Sequence, residues 1–157
     1  MSLFDESIQL ELNVAELYRI FYDAYPEDSD FWWQLILEEN NHAALIKAGR
    51  DKFFPKGLFP EEVMAPSLGS VQEINAELSA MLKKYQAIPP SREDAFNIAI
   101  YIEESAGEKH FQEFMSKSSG SDIDKLFQKL NSNNKDHAER LYSYMKSHDI
   151  VLQELSL

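Results

Sequence analysis

Glu39-Asn40-Asn41-His42 sets the tightest constraint on this chain. A carboxylate and an imidazole three residues apart lie on one face of a helix, about one turn apart, so both can reach a single metal ion. The apolar pattern around them, Phe31-Trp32-Trp33-Gln34-Leu35-Ile36-Leu37, is helical in period. Trp32, Leu35, Glu39, His42 and Ile46 then form one stripe that should face a core. A carboxylate buried there without a proton, a partner or a metal is costly. The rest of the chain decides which of these it has.

The rest of the chain reads as all-α. Its 157 residues suffice for one domain, 1–157, with a sizeable core, and glycine is scarce, with 5 in all. A first helix is expected over about 3–25, with Phe4, Ile8, Glu11, Ala15, Tyr18 and Tyr22 on one stripe and Glu16 in solvent. Pro26 ends it. Ser29 caps a second helix over about 30–48, with Gly49 as its terminator, and the short link makes the two an antiparallel hairpin. An aromatic stretch follows, Phe53 to Pro60, which should cap one end of the core. A long crossover contains an extra helix over about 70–86. Pro89-Pro90-Ser91 then opens a helix over about 92–116, and the turn Ser118-Ser119-Gly120-Ser121 leads to a last helix over about 122–148. The tail from Ile150 to Leu157 should pack back or join a subunit contact.

The formal charge of −12 argues against nucleic acid, whose phosphates need clustered Lys and Arg. No cysteine is present, which excludes thiolate metal sites, Fe–S clusters and cysteine nucleophiles. The acidic start, Met1-Ser2-Leu3-Phe4-Asp5-Glu6-Ser7, has no signal-peptide pattern, and no apolar run suits a membrane span. A cytoplasmic protein is the expectation. No nucleophile-elbow pattern for a hydrolase occurs.

The two halves repeat one pattern. Glu11 is followed seven residues later by Tyr18, and Glu104 seven later by Phe111. Glu104 is read on the stripe Asn97, Ile100, Glu104, Gly107 and Phe111; His110, sharing a face with Glu103, is read as a surface or interface residue. Each half then has a second helix with a histidine on its apolar face, His42 and His137, the latter on the stripe Phe127, Leu130, Asn134, His137, Leu141 and Tyr144. Three before His42 stands Glu39; three before His137 stands Asn134. Four helices thus each offer polar groups to one buried centre, a bundle pattern associated with metal binding.

Glu11 with Glu39-Asn-Asn-His42, and Glu104 with Asn134-Lys-Asp-His137, resembles the ferritin-like di-iron proteins. Ala15-Glu16-Leu17-Tyr18 and His137-Ala138-Glu139-Arg140-Leu141 are most similar to rubrerythrins, and the likeness runs from about Leu3 to His148. It implies a ferritin-like, left-handed four-helix bundle with a long crossover. It implies Glu11 and Glu104 as terminal ligands, Glu39 as a bridge, and one metal each on His42 and His137. It also implies iron and an oxidoreductase acting on peroxide or dioxygen. The ligand types alone suit manganese or zinc as well.

Three departures qualify the resemblance. Asn134 stands where the family places a bridging Glu, so three carboxylates face two divalent ions and one positive charge is left uncompensated. Gly107 stands where rubrerythrins often carry a further Glu, with Glu108 turned away by about 100°. Without cysteine there is no rubredoxin-like module, so an enzyme would need an external electron donor. Two readings follow. One is a non-haem (di-)iron oxidoreductase with Tyr18, Tyr101 and Tyr144 as candidate supporting tyrosines. The other is a non-catalytic, degenerate module that binds one metal or none and acts through partners or assembly. A storage shell has no specific support, and a homodimer is the default assembly.

Overall fold

Ser2 opens the first helix with a reciprocal cap. Its hydroxyl accepts from the Asp5 amide, and the Asp5 carboxylate accepts from the Ser2 amide. The computed structural model describes residues 2–60, 64, 67–105, 109, 113–115, 121–130 and 136–155, with backbone only at residue 130. Helices α1 (Leu3–Ala24) and α2 (Ser29–Ala48) pack along each other after the short turn at Pro26–Asp28. The crossover carries α3 (Leu68–Ala87), capped by Ser67 and packed on α1. Helix α4 (Arg92–Glu103) packs on α6 (His137–Ser147) and on α1, and α5 (Asp122–Leu130) lies between them in sequence. All regular structure among the described residues is helical, and none of these helices is long and apolar enough to cross a membrane.

The core has two parts. The larger joins Leu10, Leu17, Tyr18 and Phe21 of α1, Trp32 and Leu35 of α2, Phe96 and Ile98 of α4, and Leu141 and Met145 of α6. Trp32 is its centre, with Tyr18, Phe21, Phe31 and Phe96 rings around it. The smaller joins Leu45, Ile46, Phe59, Met64, Phe114, Met115 and Phe127. The aromatic stretch does cap this end: Phe53 and Phe59 pack edge-on to Phe127, while Phe54 stays exposed. Along α2, Glu39 and His42 fall between Leu35 and Ile36, which feed the larger cluster, and Leu45 and Ile46, which feed the smaller; on α1, Glu11 lies between Leu10 and Val14 of the larger one.

Helix α2 ends at Ala48 with Gly49 as its C-cap, as the sequence leads one to expect. A separate, wider turn over Gly49–Phe53 follows, and the chain reverses at Gly57, whose φ of 68° suits glycine. Gly49 also serves close approach: a Cβ there would stand 2.1 Å from Phe59 Cε2. Three other boundaries differ from the sequence expectation. Helix α4 is not one rod to residue 116. It ends at Glu103, and Glu104 leaves helical geometry with φ −87° and ψ 1°. The expected last helix is two, because Asp136 is non-helical and caps a fresh start by accepting from the Ala138 amide. Ser29 is not the cap of α2: Asp28 precedes it and uses its carboxylate on Arg92 and Tyr144.

The tail packs back. Asp149 takes a left-handed φ of 56°, turning the chain out of α6 and along α4. There Asn97 donates to the Val151 carbonyl and accepts from the Gln153 amide, both bonds within 2.8 Å. Asn97, expected on the ligand stripe, is thus the clamp for the tail.

Candidate metal centre

Glu39 sits at the middle of the cluster, fully buried on α2. Its Oε2 is 3.2 Å from His42 Nδ1 and its Oε1 is 2.7 Å from His137 Nδ1. The carboxylate therefore spans two imidazoles, which lie nearly parallel with centroids 5.4 Å apart. Glu11 Oε2 approaches His42 Nδ1 at 3.3 Å, and Glu103 Oε1 approaches His137 Nδ1 at 3.3 Å. The result is two buried triads, Glu11–Glu39–His42 and Glu39–Glu103–His137, that share Glu39. Within each triad one ligand atom from every residue lies within 4.8 Å of the others.

Local sequence explains each placement. Glu39 and His42 are one turn apart on α2. Glu103 is the last residue of α4 and His137 the first of α6, so two helix ends deliver one triad. The Tyr18 hydroxyl donates to Glu103 Oε1 at 2.5 Å, tying α1 to the end of α4. Beside them, Glu38 is also buried; its Oε2 accepts from Arg140 Nη1 at 2.5 Å and lies 3.4 Å from His137 Nε2.

Charge is tightly coupled here. Burial works to raise the Glu39 carboxyl, but the charge of His137 and contacts to both imidazoles outweigh it, and Glu39 stays ionised. Glu103 is pushed up by burial and by the neighbouring Glu39 charge, against the pull of His137 and Tyr18. Burial lowers His137, yet the charges of Glu103 and Glu39 prevail and raise it well above its ordinary value. For Glu38, burial is outweighed by His137 and Arg140, which hold it low.

The donor set fits a metal. Both Glu39 oxygens, Glu103 Oε2 and His137 Nε2 are buried without an aligned hydrogen-bond partner among the described residues. Buried polar atoms are normally satisfied. Here Glu39 Oε1 and His137 Nδ1 stand 2.7 Å apart without an aligned hydrogen bond, within a group of ligand atoms that could hold a metal ion. Carboxylates and imidazoles suit iron, manganese or zinc.

Of the residues expected at the site, Glu11, Glu39, His42 and His137 come together. Glu104 does not: it is exposed and accepts from the Tyr142 hydroxyl at 2.8 Å, while Glu103 stands in the cluster. The reason lies in α4, which is buried on nearly every side. The tail covers the Asn97 side, so the stripe through Asn97 and Ile100 faces the tail and Glu103 takes the inward position. Asn134, Gly107, Glu108, His110 and Phe111 lie outside the described residues. Of the candidate tyrosines only Tyr18 reaches the cluster; Tyr101 bonds to Glu77 and Tyr144 to Asp28. Glu38 and Arg140 were not anticipated; the adjacent pair Glu38-Glu39 on an apolar helix was the one available signal. A surface cleft lined by Glu103, Glu104, Lys109, Glu113, Asp136 and Tyr142 leads to this edge of the cluster. No family model, curated protein or solved structure matches the chain.

Proposed function

We propose that this chain is a ferritin-like, rubrerythrin-like metalloprotein whose paired triads hold two metal ions, with iron as the working metal and peroxide or dioxygen as the oxidant. The observation that carries the metal reading is Glu39, whose two oxygens serve two different buried imidazoles in one cluster of three carboxylates. Glu11 and His42 would hold one ion, Glu103 and His137 the other, with Glu39 between. Two ferrous ions there would supply the two electrons that convert one hydrogen peroxide to two waters, with protons from solvent. The protein's own part is to keep Glu103 oriented through Tyr18 and to admit a small oxidant by the acidic cleft. An external donor would restore the electrons, and a cytoplasmic homodimer completes the proposal; the sequence resemblance is the support for iron and for the oxidant.

A second reading keeps the fold and the metal but not turnover. Asn134 favours it, because it removes one carboxylate that the family uses to balance two ions. The deciding experiment is anaerobic loading with Fe(II), removal of loose metal, and counting of ions per chain, with Asn134→Glu alongside. Two ions per chain, followed by peroxide turnover that Glu39→Ala or His42→Ala abolishes, supports the oxidoreductase. One ion or none, rising to two in Asn134→Glu, favours the non-catalytic module. No binding in either protein overturns the metal reading.

A further inference from the structure

His137 presents Nδ1 to Glu39 and Glu103, and turns its other ring nitrogen toward Glu38 Oε2, 3.4 Å away. That oxygen is itself clamped by Arg140 Nη1 from one turn further along α6. A ring nitrogen can bind a metal only if its proton is carried by the other nitrogen, and an outer carboxylate commonly fixes that choice. We propose that Glu38, held by Arg140, is the positioning residue that takes the Nε2–H of His137 and so commits Nδ1 to the metal.

The geometry favours this role over a plain ion pair. A surface pair of Glu and Arg contributes little, but Glu38 is almost fully buried, which is costly unless the charge is used. One Arg140 contact leaves Glu38 Oε2 with further acceptor capacity, since a carboxylate oxygen has more than one lone-pair site. The imidazole nitrogen facing it is buried and lacks an aligned partner among the described residues. A small ring rotation as Nδ1 engages an ion would align Nε2–H with that oxygen. Glu38 is thus a fourth buried carboxylate beside Glu11, Glu39 and Glu103, with its charge met by Arg140. Asp136, which caps α6 at the same turn, fixes where the ring begins.

The inference rests on the metal-site reading, and the test separates the two. Zn(II) is titrated into the wild type, Glu38→Ala, Glu38→Gln and Arg140→Ala, and the two binding steps are resolved by calorimetry. Glu38→Ala should weaken one step by about 10- to 100-fold and leave the other within about threefold. Arg140→Ala should weaken the same step by less. Glu38→Gln keeps an acceptor oxygen and should recover most of the affinity. In parallel, 15N-histidine NMR of the Zn(II)-loaded wild type should show His137 metal-bound at Nδ1 with a protonated Nε2. If both steps are unchanged in Glu38→Ala while its melting temperature falls, the pair is structural only and the inference is wrong. If Glu38→Ala does not fold, Glu38→Gln and the NMR signature decide: Nε2 bound to metal, with Nδ1 protonated, overturns it. A wild type that takes no Zn(II) overturns the metal-site reading itself.

Discussion

Glu39 Oε1 lies 2.7 Å from His137 Nδ1, and no aligned hydrogen bond joins them. Two polar atoms this close and buried, without an aligned hydrogen bond, belong to a group of ligands that could hold a metal ion. The same Glu39 serves His42 with its other oxygen. It is the residue whose loss should be felt in both halves.

Glu39→Ala is therefore expected to abolish binding of both ions, not one. The apo-protein should stay folded, since the two apolar clusters do not include Glu39. His137 would lose one of the two charges that raise it. Metal counting with far-ultraviolet circular dichroism checks this: retention of either ion at wild-type affinity contradicts the bridging role.

Glu103 and Glu104 give a sharper contrast. Glu103→Gln should weaken the ion on the His137 side by about 100-fold or more, since charge-assisted contacts are the strong ones. Glu104→Gln should leave both affinities within about twofold, an exposed carboxylate being a weak contributor. Zn(II) or Co(II) titration of the two variants distinguishes them. The reverse outcome would mean that α4 sits one residue out of register.

That contrast also marks where the sequence was legible. Glu11, Glu39 and His42 stand on helices with one buried and one exposed side, so spacing alone places them. The extra helix, the Ser91 start and the aromatic end-cap were readable for the same reason. Helix α4 has no such contrast: Ala95 to Ile100 are all buried, partly beneath a tail that arrives more than 50 residues later (Asn97 to Val151 spans 54). Periodicity separates faces poorly when nearly every side is covered, and here it favours Glu104 over Glu103. Asp136 was similarly hidden, because a cap inside a long amphipathic pattern looks like an ordinary polar helix position.

Metal loading should release protons. His137 is raised well above its ordinary value, which favours a proton on its ring in the apo-protein, and Glu103 is raised too. A metal must displace the proton on Nδ1, so affinity should climb as pH rises and fall as pH drops. Zn(II) addition to weakly buffered protein should release about one proton or more per chain, read by a pH dye. Binding without proton release would mean that His137 is neutral or not a ligand.

Acid stability should depend on Asp28. Its carboxyl is buried, which pushes it up, but Arg92 and the Tyr144 hydroxyl outweigh this and hold it below its ordinary value. A carboxyl lowered on folding adds stability that is complete above its unfolded pKa of about 3.9 and is lost as pH falls through the folded value. Urea melts should therefore lose stability below about pH 4 in the wild type, and less steeply in Asp28→Asn. At neutral pH, Asp28→Ala leaves Arg92 facing a half-buried void and should cost about 3 kcal/mol. An unchanged acid limb in Asp28→Asn would remove Asp28 from the account.

Gly49 sets a packing limit that is independent of any metal. An added Cβ would meet Phe59 Cε2 at 2.1 Å and Cδ2 at 2.5 Å, well inside contact distance. Phe59 cannot swing freely, because Phe4 lies 4.9 Å away and Phe127 5.8 Å away, centroid to centroid. Alanine would favour the helical backbone at this position, but the overpacking should dominate, with a loss of about 1–3 kcal/mol. Phe59→Leu, which shortens the ring, should relieve part of that loss, so the double variant should be more stable than the sum of the two single changes predicts. Strict additivity in denaturant melts would show that Phe59 does not press on Gly49.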